Sequence, residues 1–319
     1  MISFIVRRLL QLVIVLFGVT VITFVIMFVV PGDPARTMAG KKATPERIEA
    51  IRHGLGLDRP LYVQYGKFVG RLAHGDLGES YYSGREVRTM IGEAWGYTAQ
   101  LAVAVVLIEL LGIPLGVYSA LRQYTFWDTA LTTAALIIWG IPVFVLGVFA
   151  QWFFGLKLNL LPIRGVGEDD FLGLIPTSLQ SFETLILPAV CLGLIEVAYI
   201  SYMQRASMLE VIRSDYIRTA RAKGLSERKV VWRHGFKNAV IPVMTIAGID
   251  LGALMGGAII TEYIFGRPGI GQLIYTGIAT RDLPIVAGGV LFATVVYVFA
   301  NLFVDIGYAL VDPRIRFED

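Results

Sequence analysis

The sequence predicts an all-α polytopic membrane protein with six transmembrane helices, and three observations carry that expectation. Charge is scarce: the 319 residues include 28 basic and 25 acidic side chains, 17% of the chain against 55% hydrophobic, where a soluble domain is about a quarter charged. Charge is also segregated. Six apolar stretches, Leu9–Val30, Ala94–Leu121, Thr129–Leu156, Thr184–Gln204, Val240–Glu262 and Pro284–Val311, hold 150 residues but five charges, and the other 169 residues hold 48. Finally, each stretch exceeds the ~20 residues that an α-helix needs to cross a hydrocarbon core of ~30 Å. An ordinary globular enzyme is excluded.

The elements follow in order. Arg7 and Arg8 precede the first stretch, which is too long for the core of a signal peptide and has no small-residue cleavage site after it. Pro31-Gly32-Asp33-Pro34 ends it, so residues 1–30 read as the N-terminus and a retained first transmembrane helix. Residues 31–93 are too long for a simple connection and form a loop or cap. Within them Thr44-Pro45-Glu46 gives an N-cap, a first-turn proline and a first-turn acid, starting a helix that runs to Gly54 or Gly56. A second helix over Leu61–Ala73 stops at His74-Gly75-Asp76-Leu77-Gly78. Residues 94–319 are the five-helix core. Gly112-Ile113-Pro114, Gly140-Ile141-Pro142 and Leu187-Pro188 should bend their spans. The segment at 205–239 holds two helical pieces: Ser214–Lys223, stopped by Gly224, and a stretch capped by Ser226 that runs to Lys237.

Six spans put both termini on one side. Arg205–Ala239 carries nine basic residues, and with Arg7, Arg8, Arg122, Arg314 and Arg316 that side has 14 positives in short segments against four opposite. The ten basic residues of Pro31–Glu93 are discounted, because loops longer than about 60 residues cross largely regardless of charge. Both termini and the 205–239 segment are expected in the cytoplasm, and Pro31–Glu93 outside it.

Several chemistries are missing. A net charge of +3, with no run of more than two Lys or Arg, speaks against nucleic acid. The single cysteine, Cys191, lies in an apolar stretch, and His53, His74 and His234 are scattered, so no metal site is expected. No P-loop occurs, and Gly266-Arg267-Pro268-Gly269-Ile270-Gly271 is a turn-rich loop rather than a dinucleotide fingerprint. No catalytic residue is expected. Glu109, Glu196 and Asp250 remain, near the middle of their spans. Acids at membrane depth belong either to a translocation pathway or to pairings between helices and subunits. A proton-coupled secondary transporter would use them directly.

Asp215-Tyr216-Ile217-Arg218-Thr219-Ala220-Arg221-Ala222-Lys223-Gly224-Leu225, continuing to Asn238-Ala239-Val240-Ile241-Pro242, resembles the coupling loop of ABC-importer permeases. The resemblance is to the dipeptide/oligopeptide/nickel family, and within it to the first, B-type permease. Supporting motifs run along the chain: Pro31-Gly32-Asp33-Pro34, Leu55-Gly56-Leu57-Asp58, Gly75-Asp76-Leu77-Gly78, Ser207-Met208-Leu209-Glu210-Val211, Thr261-Glu262-Tyr263-Ile264-Phe265, Pro268-Gly269-Ile270-Gly271 and Asp312-Pro313-Arg314-Ile315-Arg316. The general signature's Glu-Ala-Ala is here Arg218-Thr219-Ala220, as is normal for the peptide/nickel branch. The family's Arg-Asp-Tyr-Pro is here Arg281-Asp282-Leu283-Pro284, and the Lys157–Glu183 loop is compact.

The resemblance implies the type I ABC-importer permease fold in a bacterial or archaeal cytoplasmic membrane. The chain would be an importer subunit for di- or oligopeptides, glutathione-like peptides or nickel chelates. It implies a homologous second permease, two cytoplasmic ATPase subunits that bind ATP and Mg, and an extracytoplasmic substrate-binding protein. This chain itself would hold no cofactor. The ATPase-coupling residues would be Tyr216, Arg218, Thr219, Ala220, Arg221, Ala222, Lys223, Gly224 and Leu225, the small ones permitting close approach of a partner.

Overall fold

The computed structural model describes residues 2–28, 34–39, 44–167, 176 and 178–311. Pro31–Asp33, part of the Lys157–Glu183 loop, the Asp305 side chain and Asp312–Arg316 lie outside the described residues. In chain order the helices are α1 (Ile2–Phe28), α2 (Pro34–Ala39), α3 (Pro45–Leu55), α4 (Leu61–Ala73), α5 (Val87–Glu109), α6 (Gly112–Leu121), α7 (Phe126–Gly140) and α8 (Val143–Ala150). They continue as α9 (Leu179–Ile212), α10 (Asp215–Ala222), α11 (Glu227–Lys229), α12 (Lys237–Ala239), α13 (Ile241–Met255), α14 (Ile259–Phe265), α15 (Ile270–Thr280) and α16 (Leu283–Val311). Gln151–Lys157 and Val230–Phe236 are wound as π-helix, extending α8 and joining α11 to α12. Among the described residues the β-structure is one isolated bridge, Glu79 to Glu86.

Each of the six apolar stretches is built on helix, but they are not six plain rods. Val87–Leu121, Leu179–Ile212 and Leu283–Phe303 are long and apolar enough to cross a membrane alone. The break between α5 and α6 falls where expected, with Pro114 in the first turn of α6, where its missing N–H costs no helical bond. The α7 and α8 axes are bent by 95°. Ile141 is extended (φ −86°, ψ 124°), as a residue before proline prefers, and Pro142 opens α8. A second bend of 43° separates Glu227–Ala239 from α13, with Pro242 at the start of the new helix. Leu187-Pro188 is different: it lies inside α9, which is one helix of 34 residues from Leu179 to Ile212.

The chain divides into two compact units, residues 1–96 with 268–319, and residues 97–267. In the first, α1 packs on α4 and α16. Phe24, Phe68, Ala287 and Leu291 form their buried core, with the Phe24 and Tyr65 rings edge to face at 5.3 Å. The caps of α3 match their sequence signals. Thr44 Oγ1 accepts from Arg47 N–H, and Gly56 closes the helix at φ +68°. The backbone at the helix start and the Thr44 hydroxyl hold the Glu46 carboxyl below its ordinary range. A second core joins Val87, Ile91 and Ala94 to Ile270, Ile274 and Ile285. It rests on α15, which starts at Ile270, within the Gly266–Gly271 stretch read as a turn-rich loop, and was not itself expected.

This unit also gives Arg281-Asp282 a role. Arg281 is left-handed (φ +57°), closing α15 and turning the chain into α16. The Asp282 carboxylate, 1% exposed, accepts from Ser80 Oγ at 2.5 Å, Tyr81 N–H at 3.1 Å and Tyr82 N–H at 3.2 Å. Burial, and then the Asp282 charge, push the Tyr81 phenol up to about 12. The acid is a latch on the Gly78–Val87 turn. Asp282→Ala should therefore cost about 2–3 kcal/mol, read as a lowered Tm of the detergent-solubilised protein, and Ser80→Ala less. Equal Tm values for wild type and Asp282→Ala would refute the latch.

The second unit centres on α9, against which α6, α7, α8, α13 and α14 pack. Its buried ion pair was not foreseen. Arg205 donates to both oxygens of Asp128, at 2.6 and 2.9 Å, and Ser119 Oγ and Tyr124 N–H donate to the same carboxylate. This bidentate pair joins the start of α7 to the end of α9.

Candidate functional site

The coupling segment begins where α9 runs out. Ser214 is extended (ψ 153°) and turns the chain into α10, whose eight residues are too few to persist as an isolated helix. What keeps α10 in place is visible in its packing. Ile217 is 0% exposed and Ala220 8%, and both pack on Val230 at the start of the π-helical segment, with Val211 alongside. Burying Ile217 alone contributes about 1.5–3 kcal/mol. Asn238 Nδ2 donates to the Tyr216 hydroxyl at 2.8 Å, so the two ends of the familiar run are in contact. Beneath them Met208, Val231 and Ala239 pack with Val117 and Ala120.

The packing adds a role within the chain for one of the small residues. Ala220 faces its own chain, against Ile217 and Val230. Gly224 is likewise demanded by its backbone: φ is +76°, and a Cβ there would meet nothing within 4 Å. The face left outward consists of Tyr216, Arg218, Thr219, Arg221, Ala222 and Lys223, followed by Gly224 and Leu225. Arg221 is paired with Glu227 at 2.7 Å, which raises the pKa of its guanidinium, and Arg218 lies 3.3 Å from Asp215. Both pairs are solvent-exposed, so they shape the surface more than they stabilise it.

The three intramembrane acids come together in the second unit. Glu109 ends α5, is 1% exposed, and has no hydrogen-bond partner on either carboxylate oxygen. Glu196 of α9 and Asp250 of α13 lie within electrostatic reach of it. Both line a cavity of about 360 Å³, walled otherwise by residues such as Leu192, Ala253, Leu254 and Gly257. Placing an acid at the centre of a membrane helix costs about 2.5–3.5 kcal/mol on insertion scales. Three neighbouring acids therefore need an offsetting interaction. Glu262, by contrast, is 0% exposed and satisfied, accepting from Thr98 Oγ1 at 2.8 Å and from Ala258 N–H at 3.3 Å. Arg267 is buried in the same unit and donates to Gln100 at 2.8 Å.

The sequence singled out the α10 segment and each of the three acids separately, but not Asp128, Arg205, Asp282 or Arg267 as paired groups. The only local signal for Asp128 was its place in the first turn after Thr125. Among the described residues no group of three His, Cys, Asp or Glu is placed to hold a metal ion.

Comparison with known proteins adds the rest. Residues 112–317 match the family described as binding-protein-dependent transport system inner membrane component, and residues 1–102 match its N-terminal membrane component. A dipeptide transport system permease protein of Alkalihalophilus pseudofirmus is 40% identical, with 99% of this chain and 100% of that one covered. A di/tripeptide transport system permease protein of Pseudomonas aeruginosa is 39% identical, with 99% of each chain covered. A putative peptide transport system permease protein of Brucella abortus is 39% identical over the full length of both. A solved amino acid ABC transporter superposes with a TM-score of 0.49 at 14% identity, covering 71% of this chain and 94% of that one.

Proposed function

We propose that this chain, which belongs to the binding-protein-dependent transport system inner membrane components, is one of two homologous permease subunits of an ATP-driven peptide importer. Its substrates are di- or oligopeptides or related small solutes, in keeping with the full-length similarity to the peptide permeases named above. Residues 1–30 supply the first membrane helix, residues 31–93 an extracytoplasmic cap that meets a substrate-binding protein, and residues 94–319 the permease core. The chain sits in the cytoplasmic (inner) membrane with both termini in the cytoplasm. Two ATPase subunits, which hold the ATP and Mg, dock on α10 from that side.

The single observation that carries this reading is the build of α10. It is a short polar helix fastened to its own chain by Ile217 and Ala220, with an outward face of arginines and small side chains. A helix so fixed transmits a push. Small residues such as Thr219 and Ala222 let it enter a groove, and Arg218 offers a guanidinium to acids there.

Vesicles containing both permeases, both ATPases and receptor protein test the function. Peptide uptake should follow ATP and be indifferent to an uncoupler. Uptake abolished by the uncoupler and independent of ATP would instead favour a proton-coupled carrier using Glu109, Glu196 and Asp250.

The orientation has its own check. In a Cys191→Ser background, Tyr82→Cys, at a residue 84% exposed, should react with an impermeant thiol reagent on intact cells. Ser226→Cys should react only after lysis. Ser80 is unsuitable as a reporter because it is 3% exposed. The reverse labelling pattern would invert the topology.

A further inference from the structure

Glu109 is buried in the second unit and Glu196 and Asp250 are half-buried near it, with no cation paired to any of them among the described residues. Neither oxygen of Glu109 has a hydrogen-bond partner, nor does Oδ2 of Asp250. Among the described residues no ion pair involves Glu109, Glu196 or Asp250. The other two buried acids of the unit are hydrogen-bonded: Asp128 has Arg205, Ser119 and Tyr124, and Glu262 has Thr98 and Ala258. Leaving these three acids unpaired is therefore specific to their place in the fold. That place borders open space, since Glu196 and Asp250 line the cavity of about 360 Å³. Its size falls within the ~300–1,000 Å³ of small-molecule sites.

The chemistry narrows what can enter. A cluster of one buried and two half-buried acids at membrane depth asks for positive charge. A bare metal ion fits poorly, because no three acids are placed to ligate one among the described residues. The rest of the wall is apolar, with Leu192, Ala253 and Leu254 beside the acids. A charge carried on a hydrocarbon body fits both parts of the wall at once.

From this we infer that Glu109, Glu196 and Asp250 form a subsite receiving an alkylammonium group of the transported solute, either the terminal ammonium of a peptide or a lysyl side chain. The inference rests on the importer reading and assigns the solute chemistry that the permease itself selects. Glu196 and Asp250 meet the cation at the cavity wall, and Glu109 stands near them without lining the cavity.

Two measurements on the assembled transporter test it. The first is uptake into vesicles at receptor-saturating concentrations of dialanine, of its desamino analogue propionyl-alanine, and of propionyl-lysine. Wild type should favour dialanine over propionyl-alanine by about tenfold or more. Glu196→Gln and Asp250→Asn should each reduce that preference to about twofold or less while leaving propionyl-alanine uptake within twofold of wild type. If propionyl-lysine follows dialanine, the lysyl group is also a source of the cation; if it follows propionyl-alanine, the terminal ammonium alone is. The second measurement needs no transport: labelling of these carboxyls by dicyclohexylcarbodiimide in nanodiscs, read by mass spectrometry. Ethylammonium should slow labelling at least threefold relative to sodium at equal ionic strength. Equal losses for all three solutes together with no ethylammonium protection would overturn the subsite while leaving the importer reading intact. Protection without any peptide uptake would sustain the subsite and sink the importer reading.

Discussion

Gly116→Leu is expected to remove most of the folded permease, at a cost of about 3 kcal/mol, the upper end for overpacking a core. A Cβ at Gly116 would lie 2.5 Å from the Ser201 carbonyl oxygen, 2.6 Å from Gln204 Cβ and 3.0 Å from Arg205 N. Two of those atoms are backbone, so no rotamer change relieves the clash. Gly112, one turn earlier on α6, is as tight: its Cβ would meet the Val197 carbonyl oxygen and Ile200 Cγ2, each at 2.8 Å. Gly112 and Gly116 thus form a small-xxx-small face that lets the α6 and α9 backbones approach closely, in a setting where dispersion rather than water expulsion drives association. Displacing α6 would also pull Ser119 from Asp128 and weaken the Arg205 pair behind it. The check is monodisperse yield and Tm in detergent. Gly92→Ala, where nothing lies within 4 Å of the added methyl, should match wild type in both. Wild-type yield and Tm for Gly116→Leu would show that α6 and α9 tolerate separation.

What could be read from the sequence depended on how locally it was encoded. The α3 caps at Thr44 and Gly56, the bounds of α4 and the stop of α10 near Gly224 are set by residues within one turn, and each appears where its signal stands. The apolar spans were legible because length and charge depletion define them without any tertiary knowledge. Their shape was not. Gly140-Ile141-Pro142 announces a bend but does not encode its size, 95°. The latch and the ion pair were hidden for a related reason. Asp282 meets Ser80 across 202 positions and Arg205 meets Asp128 across 77, and neither partner has a neighbour in sequence that points to it. Ala220 is a different case. A small residue has the same composition value whether its own chain or another molecule covers it, and only the contacts with Ile217 and Val230 decide which.

That distinction separates two kinds of damage at α10, and Ala222→Trp is the informative variant. Ala222 is exposed on the last turn of the helix, so a bulky side chain there has room in the isolated chain and should leave its Tm unchanged. If the outward face enters a groove on the ATPase, the indole blocks it. ATPase co-purification and ATP-driven uptake should then fall more than tenfold. Ala220→Asp should also abolish uptake, but by another route. It places a charge in the Ile217–Val230 contact, so hydrogen exchange should rise across α10 and the π-helical segment. Gly224→Val forces a β-branched residue to φ +76°, costing about 1–2 kcal/mol, whereas Gly224→Asn should be tolerated because asparagine visits that region. Arg218→Glu and Arg221→Glu should be milder, each reducing uptake less than fivefold, since exposed ion pairs contribute about 0–1 kcal/mol. The ordering is the test. A tenfold loss with an intact Tm at Ala222 places the ATP-driven stroke on this face. Wild-type uptake and co-purification by Ala222→Trp would make α10 a solvated basic helix and remove the coupling assignment.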